Sequence, residues 1–190
     1  MSGGSSSRRP AAVVFAPYLH TLGGGERIIV RSAELLAEEC DVVIGAPRPV
    51  DHERWERLGF PAGLHRRVRL MSARQFSRAT LGADIGVAVT NHLPLPSFAR
   101  RSLLYVQFPT DVLDAHPHPR RDLKRWALDR YELLVYSSYV AHHVKDRWGR
   151  SDAQVIDMPV RQFGVRAVLK TRTILSVGRF STTSNLKRQD

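Results

Sequence analysis

The chain of 190 residues is long enough to bury one ordinary core and short for two complete domains. Its composition, 43% hydrophobic and 25% charged, excludes a disordered or fibrous protein, and no apolar run approaches the roughly 18 residues that cross a bilayer. The single cysteine, Cys40, excludes an internal disulfide and a cysteine metal cluster, while the net charge of +11 points to an anionic partner: a phosphorylated ligand, a membrane surface or a nucleic acid.

Residues 1–9, rich in Ser and Gly, predict a disordered tail. The apolar stretch behind them is too short for a signal-peptide core, which predicts a cytoplasmic protein. Seven short apolar runs then recur, at 11–16, 41–46, 64–71, 83–90, 102–108, 131–137 and 154–160, and each reads as a strand. Those at 12–16, 42–44 and 133–135 are continuously apolar, as suits strands covered on both faces. The clearest helix spans about 25–39, where Ile29, Ala33 and Leu36 share a stripe that Ile28, Val30 and Ala37 widen. Further helices are predicted at 51–58, 120–129 and 139–148, the last stopped by Gly149. Trp55, Trp126 and Trp148 fall on these helices, where core packing is the default. Alternating strands and helices predict an α/β protein with a Rossmann-like, doubly wound parallel sheet over residues 10–160. Residues 161–172 read as a linker. A fresh strand at 173–177 and the opening of a basic helix at 186–190 predict the start of a second Rossmann-like domain, with the sequence stopping in its first strand-to-helix turn.

The first strand and first helix are joined by Leu22-Gly23-Gly24-Gly25-Glu26-Arg27. Glycines there admit a phosphate close to the backbone, and a helix start offers free N–H donors. Ile28 breaks the G-x-G-x-x-G dinucleotide pattern and no Walker A pattern occurs, so an anion site is predicted without either fingerprint. Glu26 reads as a first-turn acid favoured by the helix dipole. In the second segment the strand delivers Arg179 to its carboxyl end and Lys187 opens the next helix, a pair of cations able to grip a diphosphate. Arg66, Arg67, Arg69, Arg74 and Arg78 form a basic stretch suited either to anionic head groups or to plain solvation. The Pro-rich segment from Asn91 and His92 to Pro96 follows a strand end and either lines a cleft or is an ordinary loop. His116 and His118, flanked by prolines, read as loop surface.

In this order and spacing, four segments together resemble the family 4 glycosyltransferases of the GT-B fold: the triple-glycine turn with Glu26 and Arg27; the stretch Tyr105, Val106, Gln107, Phe108, Pro109, Thr110; the turn Tyr136, Ser137, Ser138; and the strand ending in Gly178, Arg179, Phe180 with Lys187, Arg188, Gln189 and Asp190 after it. The resemblance implies an amino-terminal acceptor domain followed by an incomplete nucleotide-sugar domain. It implies transfer of a hexosyl group from a UDP- or GDP-sugar, with retention, to a glycan or lipid-linked acceptor. No cofactor and no metal are implied, and the chain has no Asp-x-Asp. Gly24 and Gly25 would lie against the donor phosphates, Arg179 and Lys187 would stabilise the departing diphosphate, and Gln107, Asn91 and His92 would face the acceptor. Gln107 stands where many relatives carry histidine, and an amide hydrogen-bonds but does not titrate. The acidic segment that grips the donor's sugar and ribose in that family does not occur before Asp190. The rival reading is a non-enzymatic basic module for nucleic acid or an anionic membrane. Against nucleic acid, no RNP-like, zinc-ligand or helix-turn-helix pattern is present.

Overall fold

The computed structural model describes residues 8–157. The expected strand at 173–177, together with Arg179 and Lys187, lies outside the described residues. Seven strands, β1 (Ala11–Phe15), β2 (Asp41–Ala46), β3 (Val68–Leu70), β4 (Ile85–Thr90), β5 (Arg101–Val106), β6 (Glu132–Val135) and β7 (Gln154–Val155), form one sheet in the order β3-β2-β1-β4-β5-β6-β7. Every adjacent pair is parallel. Six helices connect them: α1 (Gly24–Glu39), α2 (His52–Arg57), α3 (Ala62–His65), α4 (Ala73–Ala79), α5 (His118–Asp129) and α6 (Ser138–Trp148). This is a Rossmann-like, doubly wound α/β fold.

The period of two along each strand sorts the core into two layers. Ala12, Val14 and Ala16, with Val42, Ile44, Val87 and Val89, face a cluster that contains Ile29, Val30 and Ala33 of α1, Trp55 of α2 and Leu64 of α3. Val13 and Phe15, with Ala88, Leu104, Val106, Leu133 and Val135, face the opposite cluster, to which Phe76 of α4, Leu128 of α5 and Val140, Val144 and Trp148 of α6 belong. Helices thus cover both faces because the chain reverses direction at β1: β2 and β3 extend one way, β4 to β7 the other. Crossovers of a single hand then place their helices on opposite sides. The β4–β5 connection departs from this rule in having no helix; it is a loop through residues 91–100.

Several predicted bounds move. The run at 64–71 divides into the short helix α3 and the edge strand β3, because Leu64 faces the α1 layer while only three residues pair with β2. Helix α4 was not foreseen. Its start is a capping box in which Ser72 Oγ accepts from the Gln75 N–H and Gln75 Oε1 accepts from the Ser72 N–H. The basic stretch from Arg66 to Arg78 is therefore divided among the turn after α3 (Arg66, Arg67), β3 (Arg69) and α4 (Arg74, Arg78), and Arg69 on the edge strand donates to the carbonyls of Arg66 and Val68. Trp55 and Trp148 are fully buried, as expected, whereas Trp126 is 45% exposed: it sits on the outer side of α5, away from buried Ala127 and Leu128. His118 opens α5 rather than lying in a loop. Gly149 ends α6 in the left-handed conformation, φ 69°, the predicted stop. Cys40 is buried at the α1–β2 junction. No helix among the described residues is long and apolar enough to cross a membrane.

Trp148 is the largest side chain in its layer, is 0% exposed, and donates its indole N–H to the Asp111 carbonyl at 3.0 Å. Trp148→Ala is expected to lower unfolding free energy by about 3–5 kcal/mol in urea titrations; a loss under about 1 kcal/mol would show that α6 does not carry this half of the core.

Candidate functional site

In a doubly wound sheet the loops leaving adjacent strands part where strand order reverses, and a crevice opens outside their carboxyl ends. Here that point lies between β1 and β4. The β1–α1 turn, the β4–β5 loop, the β5–α5 loop and the β6–α6 turn all leave the sheet at this edge. Asn91, His92 and Gln107 stand on these connections, and Gly24 and Gly25 open α1 directly after the first of them.

The β1–α1 connection runs through a 3-10 turn, Leu19–Thr21, and then Leu22 at φ 49°. Leu22 is the sole non-glycine residue with positive φ among the described residues, a conformation that costs on the order of 1–3 kcal/mol. Its buried side chain, 4% exposed, holds it there. Gly23 caps α1, and its N–H donates to Glu26 Oε2 at 2.9 Å. A serine in that place would return a bond to the first turn, but glycine has no side chain to do so. The N–H groups of Gly24, Gly25 and Glu26 therefore find no acceptor among the described residues, and a helix start with open donors favours an anion. Glu26 is more than a dipole-favoured surface acid: it is 5% exposed and ties the turn together.

Gly24 and Gly25 were expected in the turn itself. They are instead the first two residues of α1, because helix geometry begins immediately after the Gly23 cap. They also differ from one another. A Cβ on Gly24 would meet nothing within 4 Å, whereas one on Gly25 would stand 1.7 Å from Gln107 Nε2 and 2.8 Å from Gln107 Cδ. At Gly25 it is the close approach of the Gln107 carboxamide, not the backbone angles, that leaves no room for a Cβ unless the glutamine moves. The fold thus brings together Gly25 and Gln107, residues far apart in sequence that were both singled out from it.

The Gln107 backbone is held from two sides. Its N–H donates to the Thr90 carbonyl at 3.3 Å, and its own carbonyl accepts from the Tyr136 hydroxyl. Burial pushes the Tyr136 phenol up, so it remains a donor at neutral pH. Asn91 braces the same loops: its side-chain oxygen accepts from the Phe108 N–H at 3.0 Å, and its carbonyl accepts from the Thr110 N–H at 2.7 Å. That carboxamide oxygen supports the loop rather than standing free for a ligand. Gly25, Ile29, Val89, Tyr105, Gln107 and Tyr136 line a small apolar cavity of about 10 Å³, far too small for a sugar ring.

His92 stands beside this lattice. Its Nδ1 lies 3.0 Å from Asp111 Oδ1 and 2.9 Å from Thr110 Oγ1, and Asp111 Oδ2 accepts the Leu93 N–H at 3.0 Å. A carboxylate on Nδ1 assigns the proton to that nitrogen, which leaves Nε2 as a free acceptor in the neutral ring. Burial opposes ionisation of Asp111, but the hydrogen bonds from His92 and Leu93 outweigh it and hold the carboxyl below its ordinary value. Asp111 was missed in the sequence, since nothing local marks a partner on another loop. Also missed was the aromatic flank beside Gln107, where Phe108 lies 5.0 Å from His143, Tyr139 lies 4.6 Å from His143, and the Arg147 guanidinium sits 5.9 Å from the Phe108 ring centre. Ser137 caps α6 by accepting the Val140 N–H at 3.2 Å, so this part of the Ser-rich turn has a structural duty.

No family model, curated protein or solved structure matches the chain. Among the described residues, no group of three or more His, Cys, Asp or Glu side chains stands close enough to hold a metal ion.

Two outcomes are expected. Gly25→Ala forces only the end of a flexible glutamine to move, so stability should stay within about 1 kcal/mol of the parent while the Gln107 side-chain amide signals shift in a ¹H–¹⁵N spectrum; an unchanged Gln107 would refute the contact. For Asp111, a folded-state pKa below the unfolded one adds stability above the ordinary carboxylate value of about 4, lost as pH falls through the folded value. Asp111→Asn should therefore lower the urea midpoint near pH 7 and approach the parent near about pH 2–3; a gap of equal size at both would contradict the lowered pKa of Asp111.

Proposed function

We propose that this chain is the acceptor-side half of a retaining GT-B glycosyltransferase of the family 4 type, moving a hexosyl group from a UDP- or GDP-sugar to a glycan or lipid-linked acceptor on the cytoplasmic side of a membrane. One observation carries the reading: at the switch-point edge the Gln107 carboxamide packs against Gly25 at the start of α1, whose first N–H groups find no acceptor among the described residues. That is where a diphosphate and the hydroxyl attacking beside it need, respectively, donors and an orienting partner.

On this reading the amides of Gly24, Gly25 and Glu26 receive the diphosphate. Gln107, fixed by Thr90 and Tyr136, hydrogen-bonds a sugar hydroxyl without titrating. His92, oriented by Asp111, offers Nε2 to the acceptor. As the acceptor oxygen bonds to the anomeric carbon, the bond from that carbon to the phosphate oxygen breaks, and the acceptor's proton passes to the departing phosphate. Arg179 and Lys187 are assigned the charge that develops there.

Titrating the labelled chain with UDP, GDP or pyrophosphate tests the assignment. Weak binding is expected, with the largest shifts at the Gly24, Gly25 and Glu26 amides and the Gln107 carboxamide; shifts confined to another surface would refute it. In a protein carrying a whole nucleotide-sugar domain, Arg179→Ala is expected to depress turnover by about 10²-fold or more. Near-normal turnover would remove Arg179 from the mechanism.

A further inference from the structure

The outer side of α5 carries a surface that the sheet-edge site does not use. Leu123 is 60% exposed and Trp126 45%, and Leu95 and Phe98 of the β4–β5 loop are each 37% exposed. The Phe98 and Trp126 ring centres lie 6.3 Å apart. Arg130 is 5.2 Å from the first ring and 5.6 Å from the second, and its Nε donates to the Ser97 carbonyl. Loop and helix are fastened together around the patch, since Lys124 donates to the Leu93 carbonyl at 3.3 Å and the Tyr131 hydroxyl to the Leu95 carbonyl at 2.8 Å. Along the helix, Arg120, Leu123, Trp126 and Arg130 follow at spacings of three and four, which stacks them as one exposed stripe with a cation at each end.

We propose that this stripe, with Leu95 and Phe98, is a docking surface for an anionic lipid bilayer. An amphipathic helix with aliphatic and aromatic side chains outward and arginines at their margin lies at the head-group boundary, apolar groups inserted and cations on the phosphates. Charge complementarity selects this occupant. A second copy of the chain would set like-charged rims against each other, at a net charge of +11 each. A nucleic acid would use the rings and arginines but leave Leu95 and Leu123 without a partner. The surface differs from the Arg66 to Arg78 stretch expected from sequence, whose members are divided among the turn after α3, β3 and α4. It rests on the exposed face alone and holds whether or not the crevice binds a nucleotide sugar.

Tryptophan fluorescence supplies a selective test, because Trp55 and Trp148 are 0% exposed and only Trp126 is open to quenchers. The whole chain is mixed with phosphatidylcholine vesicles, with or without phosphatidylglycerol, and with brominated acyl chains in a parallel set. Expected are salt-sensitive co-sedimentation that requires phosphatidylglycerol, and quenching by the brominated chains. Leu123→Ser and Trp126→Ser should each lower vesicle partitioning by about tenfold or more, with thermal midpoints unchanged. Arg69→Ser with Arg74→Ser should leave partitioning within about twofold of the parent, the scale of peripheral charge on this helix-led mode. Retained partitioning in both α5 variants, absence of quenching on bound vesicles, lipid-free dimers that shield Trp126, or duplex DNA bound more tightly than anionic vesicles would each overturn the proposal.

Discussion

Hydrogen bonds that Asn91 accepts from the β5–α5 loop set the geometry of the crevice. The Asn91 carboxamide and carbonyl hold Phe108 and Thr110, and between these anchors and Tyr136 the side chain of Gln107 is carried onto the start of α1. That approach is compatible only with a residue lacking a Cβ at Gly25. A local glycine is thereby tied to a tertiary constraint across the strand reversal. Were the β4–β5 and β5–α5 loops free of one another, Gln107 would have no fixed place, and the open amides of α1 would be an isolated helix end of no specificity.

The same loops lead into the rest of the molecule. Asp111, which anchors His92 through one oxygen and Leu93 through the other, offers its backbone carbonyl to the buried indole of Trp148. The α4–α6 layer therefore holds the site edge from beneath. Farther along, the β4–β5 loop turns outward and meets α5 through Leu95, Phe98 and Arg130. One helix-free connection thus joins crevice and exposed patch. A domain that worked on a lipid-linked acceptor would need both, the crevice to orient the reacting hydroxyl and the patch to hold the domain at the bilayer.

The architecture was legible because burial on both faces leaves a mark in sequence: the continuous apolar runs of β1, β2 and β6 predicted a parallel sheet, and α1 announced itself by its stripe. β3 and α4 were obscured. At a sheet edge half the burial is missing, so Leu70 is exposed and the strand carries arginine, while α4 shows only Phe76 and Ser77 to the core. Gly25 and Gln107 were legible as motif positions, although their contact was not, since no local pattern encodes a distance across two crossovers. Asp111 and Trp126 show opposite sides of the same limit. A single aspartate becomes a histidine's partner only through the fold, and a tryptophan on an amphipathic helix is assigned to the core or the surface by phase, which one residue of uncertainty in the helix start is enough to blur.

The proposed function stands on the crevice receiving the diphosphate of a nucleotide sugar. A crystal structure of the protein grown with UDP or GDP would place the phosphates directly. They are expected within hydrogen-bond distance of the Gly24, Gly25 and Glu26 amides, with Gln107 beside the terminal phosphate. Phosphates bound on another face, with those amides solvated, would contradict it.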